Sequence, residues 1–129
     1  MPVLERIRAW ITDASDSRRV RWHVSVTPEG CVAERRHGGS AERWSVRWAD
    51  VSSATAFKTD DLTFDTIWIS LESNAGEPVL FPDDAEGFSE AARSLPDHLA
   101  GCLAYDEWFS EVAHPAFERR ETSLYLAAV

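Results

Sequence analysis

The chain has 129 residues, with 22 Asp and Glu against 13 Lys and Arg, a net charge of −9 and a pI near 4.8. That is the length of one domain, enough to bury about two thirds of the unfolded surface without a metal or disulfide staple. A negative field repels phosphate backbones and anionic lipid, which argues against nucleic acid and membrane as partners. It would steer a basic protein inward, although acidity also serves simply to keep a small protein in solution.

In chain order, Val3, Leu4, Ile7, Trp10 and Ile11 recur at helical spacing and predict an amphipathic N-terminal helix over 1–13. Its stripe packs either on its own domain or on a second copy. Val20, Trp22, Val24 and Val26 then alternate with polar residues as a half-buried strand does, and Thr27-Pro28-Glu29-Gly30 turns the chain into a returning strand over Cys31 to Arg36. His37-Gly38-Gly39-Ser40 is the next turn. Trp44, Val46 and Trp48 alternate in a third strand, Val51 to Lys58 reads as a fourth, and Ile67, Ile69 and Leu71 form the inward face of a fifth. Val79 to Phe81 is a sixth.

From Pro82 the period changes. Asp83 or Asp84 can cap a helix whose Phe88, Ala91, Ala92 and Leu95 share one face and which Pro96 ends. Tyr105, Trp108, Phe109 and Val112 predict another short helix, stopped by His114-Pro115, and Ser123 to Ala128 a last strand or extended tail. The resulting expectation is a single α+β domain over 1–129. It has an N-terminal helix (1–13), a bent antiparallel β-sandwich or barrel (20–82), a capping helix (83–96), and a C-terminal helix and tail (104–129).

Few residues carry chemistry. The four histidines show no metal-ligand spacing, and no phosphate-cradling glycine loop or nucleophile elbow is present, so no cofactor is expected and the chain reads as a non-enzyme. Cys31 and Cys102 fit neither a zinc nor a redox pattern. They read as free thiols of a cytoplasmic protein, a disulfide requiring that the fold bring them together. Asp60, Asp61 and Asp65 lie beside Lys58, the only lysine, in an acidic loop that could pair with it, bind a cation or meet a basic partner, and a solvated turn with some salt-bridge character is favoured over a cation site. Trp68 falls on the face opposite Ile67 and Ile69, so it is either covered by a terminal helix or is an exposed anchor for a partner.

The segment from Trp48-Ala49-Asp50-Val51 through Ala56-Phe57-Lys58 to Asp61-Leu62-Thr63-Phe64-Asp65 resembles a group of small uncharacterised bacterial proteins with the pattern W-x-D-(I/V), A-(F/Y)-K and D-L-x-T-x-D ahead of an apolar strand. Gly87-Phe88, Leu95-Pro96, Gly101-Cys102, Trp108-Phe109 and Pro115-Ala116-Phe117 extend the likeness over most of 20–127. It implies a pleckstrin-homology-like fold, a bent sheet body capped by a helix, and no chemistry. The expected function is a protein-interaction module, in its specific form an immunity-type protein neutralising a basic toxin. The alternative is a small-molecule or lipid binder using the open end of the β body. The candidate interaction residues are Lys58, Asp60, Asp61, Asp65 and Trp68.

Overall fold

The computed structural model describes residues 20–60, 65–74, 76–113 and 120–127. Among these residues seven strands form two antiparallel sheets. In the first, β1 (Val20–Val26), β2 (Gly30–His37) and β3 (Ser40–Arg47) make a meander; in the second the order is β6 (Val79–Pro82), β5 (Asp65–Ser73), β4 (Val51–Asp60), β7 (Arg120–Leu126). A single turn of 3-10 helix, Trp48–Asp50, carries the chain between sheets. Helices α1 (Phe88–His98) and α2 (Tyr105–Ala113) lie between β6 and β7. This is an α+β chain with a β-sandwich-like body. The N-terminal helix expected over 1–13, and with it the stripe offered to a second copy, lies outside the described residues.

Local chemistry sets the turns. Thr27 Oγ1 accepts from the backbone N–H groups of Glu29 and Gly30 at 3.2 Å each, which closes the β1–β2 hairpin. A Cβ on Gly30 would lie 2.2 Å from the Val46 carbonyl oxygen, so only glycine lets β2 start this close to β3. Trp48 leaves the strand pattern here. Its indole N–H donates to the Thr27 carbonyl at 2.8 Å and its ring stacks on His98 at 4.5 Å, pinning the crossover to the last turn of α1.

The second sheet is covered on both faces, every residue from Thr66 to Leu71 being buried. Toward the first sheet, Trp68 meets Trp22 edge-on at 5.6 Å and stacks on Phe57 at 6.4 Å, while Trp22 also stacks on Trp44. Toward the helices, Phe81 meets Phe88, which meets Tyr105, which packs on Trp108 and Phe109. Burying a Phe or Trp of this kind is worth about 3–5 kcal/mol against alanine, so these two aromatic layers dominate the cohesion of the fold.

Two boundaries differ from expectation. Helix α1 runs through Pro96 to His98, because a proline in the last turn forfeits only the one bond its missing N–H would have made. Its N-cap is Gly87 at φ 89°, with no side-chain cap from Asp83 or Asp84; those two residues sit in the preceding turn.

Both cysteines are free and buried, and burial pushes the Cys31 thiol up to about 12 and that of Cys102 to about 11, from an ordinary 9.0. The unfolded chain therefore releases thiol protons from about pH 9 while the fold retains them. The cysteines' contribution to stability should be level below about pH 9 and then fall by about 1.4 kcal/mol per pH unit through Cys31 alone, until about pH 12. Urea unfolding at intervals across that window checks this; Cys31→Ala should remove its share of the slope, and an unchanged slope would contradict it.

Candidate functional site: an acid-rimmed cleft beside the first helix

After β6 the chain turns back along the free edge of β1. The Asp83 N–H donates to the Ile67 carbonyl at 2.7 Å, and Glu86 then pairs with β1 as a one-residue parallel extension of the first sheet. Val24 donates to the Glu86 carbonyl at 2.8 Å and Glu86 donates to the Trp22 carbonyl at 3.0 Å. Gly87 follows at positive φ, and a Cβ there would lie 2.2 Å from the Val24 carbonyl oxygen. The close approach that starts α1 thus needs glycine twice over, for its backbone angle and for its missing side chain.

This junction leaves a cleft of about 660 Å³ between β1, the start of α1 and the start of α2. Its lining includes three acidic residues, Asp83, Glu86 and Glu90, together with His23, Tyr105 and Phe109. The Tyr105 and Phe109 rings stack at 4.8 Å. Burial lifts the Tyr105 hydroxyl above its ordinary range, opposed by Arg93 and reinforced by Asp83 and Asp106, so it stays a protonated donor near neutral pH. Arg93 lies 4.7 Å from the Tyr105 ring centroid and 3.6 Å from Asp106. The chain itself therefore places a guanidinium between an aromatic face and a carboxylate at the margin of this site.

Of the expected interaction residues, Trp68 and Lys58 are buried. Trp68 is 4% exposed and meets Trp22 of the facing sheet edge-on. Lys58 is 2% exposed, and its Nζ donates to the Ala113 carbonyl at the end of α2, 3.2 Å away. It is an interior strut and not a solvated side chain. Asp60 ends β4 and Asp65 begins β5, paired with each other across the hairpin, and Asp61 lies outside the described residues. The cleft residues Asp83, Glu86 and Glu90 were visible in the sequence only as acids near a helix start, where the helix dipole already accounts for them. The residue that marks the junction is Gly87, directly before the helix.

Among the described residues no three His, Cys, Asp or Glu side chains stand as a metal set, and no helix is long and apolar enough to cross a membrane. A second cleft of about 440 Å³ lies by the β1–β2 turn, where Arg47 and Asp50 pair at 3.8 Å. No protein-family model, curated protein or solved structure matches the chain.

Proposed function

We propose that the protein is an interaction module that takes a cationic side chain of a basic protein partner into the acid-rimmed cleft. The observation that carries this is that Asp83, Glu86 and Glu90 line one concave site together with the stacked rings of Tyr105 and Phe109. From Trp48 onward the sequence holds sixteen acids against four Lys and Arg, so the long-range field draws a basic partner toward this part of the molecule. Magnitudes favour a protein over a free amine. One charge-assisted hydrogen bond with an aromatic contact supplies about 2–5 kcal/mol, and ordering a long side chain returns about 0.5–1.5 kcal/mol of it, so useful affinity needs further contacts around the cleft. Neutralisation of a basic toxin is the specific form of this reading. A small organic cation is the second reading, favoured by a cleft volume within the usual range for small-molecule sites.

A pleckstrin-homology-like body is the finer fold consistent with two antiparallel sheets and a helix laid against β1, with β7 returning after the helices to pair with β4. The test of function is capture from the native cell's lysate and secretions on the tagged protein. Glu86→Gln with Glu90→Gln should abolish recovery of a stoichiometric basic protein. Asp97→Asn with Glu111→Gln, which removes the same charge elsewhere, should retain it. Equal loss in both would sink the cleft as the site.

A further inference from the structure

The first sheet has an outer face that the sequence does not display as a unit. Cross-strand register places Arg21 beside Arg36, and His23 beside Glu34, which in turn neighbours Arg43. Arg21, His23, Arg36 and Arg43 are all exposed on that face. Glu34 forms an ion pair with Arg36, whose hydrogen bond, helped by the fields of Arg36, Arg43 and His23, holds its carboxyl below the ordinary range, so these basic residues surround one acid. In a chain of net charge −9, this face is locally basic.

It also adjoins the cleft. Glu86 extends the same sheet beyond β1, so one row across the surface reads Glu86, His23, Glu34, Arg43, and His23 belongs both to the cleft lining and to the basic face. Opposite charges thus lie side by side, acids toward the α1 side and arginines toward β2 and β3. A surface with that polarity is complementary to itself after a half-turn, which is the requirement for an isologous dimer.

We propose that a second copy of this chain docks on this surface about a two-fold axis, with Arg36 and Arg43 of each copy against the Asp83, Glu86 and Glu90 rim of the other. The proposal rests on the rim being a cation site but not on any outside partner, and it makes self-association and partner capture compete for one cleft. Net charge disfavours nucleic acid on the same face, since a phosphate backbone meets the whole molecule's repulsion. Repulsion between two copies is screened beyond ~8 Å at physiological salt, which leaves the short contacts to decide.

Sedimentation equilibrium on the purified chain tests it. A dimer should form near 0.15 M salt and weaken at least about tenfold near 1 M, where the screening length falls to ~3 Å. Arg36→Glu with Arg43→Glu should be monomeric, as should Glu86→Arg with Glu90→Arg. Mixed in equal amounts, the two variants should associate again, because each face then meets its opposite on both sides of the axis; this rescue also shows that both are folded. A wild type monomeric at every salt concentration, a dimer indifferent to either reversal, or a mixture that stays monomeric would each overturn the proposal. A monomeric wild type that binds an oligo-glutamate peptide would assign the face to an acidic protein partner instead.

Discussion

Gly87→Ala should destabilise the protein by about 3–4 kcal/mol, whereas Gly101→Ala should cost only about 1–2 kcal/mol. Both glycines have a left-handed backbone, at φ 89° and φ 85°. Any other residue pays about 1–2 kcal/mol for that conformation alone. They differ in what a side chain would meet. Nothing lies within 4 Å of a Cβ on Gly101, while one on Gly87 would stand 2.2 Å from the Val24 carbonyl oxygen. Relief of that overlap requires Glu86 and Gly87 to move off β1, giving up backbone bonds that Val24 and Glu86 make there, each worth about 1 kcal/mol net. The substitution should also open the cleft, since the Glu86 bridge is one of its walls. Denaturant unfolding of the two variants reads the difference directly, and equal costs would show that the close approach does not matter.

The second large effect is at Lys58. Its aliphatic stem lies in the interior and its ammonium donates to the last carbonyl of α2, so the side chain ties the middle of β4 to a helix end. Lys58→Met keeps the stem and loses the donor, at an expected cost of about 1–2 kcal/mol. Lys58→Glu would set a buried carboxylate against a carbonyl oxygen at the negative end of a helix dipole, at about 3–5 kcal/mol, enough to leave much of the chain unfolded. Thermal unfolding of the pair separates packing from charge. A Glu variant as stable as the Met variant would mean that Lys58 reaches solvent.

These two residues also show where reading the sequence ran out. Period-two alternation located β1 and β3 well because one face of the first sheet meets water, and the Thr27–Gly30 turn announced itself through its side-chain chemistry. The apolar stripe of Phe88, Ala91, Ala92 and Leu95 likewise marked the buried face of α1. The same alternation misled in β5, where both faces are buried: Thr66 and Ser70 pointed to an outward face that does not exist, and Trp68 went with them. Lys58 stood among aspartates in sequence, but its alternation with Phe57 and Ala56 carries it inside, and local charge says nothing of that. The cleft depends on a single parallel bridge between residues far apart in the chain, His23 and Glu86, which no spacing encodes. The basic face needs the register of three strands before Arg21, Arg36 and Arg43 become neighbours.

The most direct test of the cleft is isothermal titration of the protein with a short oligo-arginine peptide, comparing wild type with the two equal-charge variants. Binding should weaken at least about tenfold in Glu86→Gln with Glu90→Gln and stay within about threefold of wild type in Asp97→Asn with Glu111→Gln. Equal weakening in the two, or no binding to the wild type, would mean that the carboxylates beside α1 are part of a diffuse acidic surface and form no site.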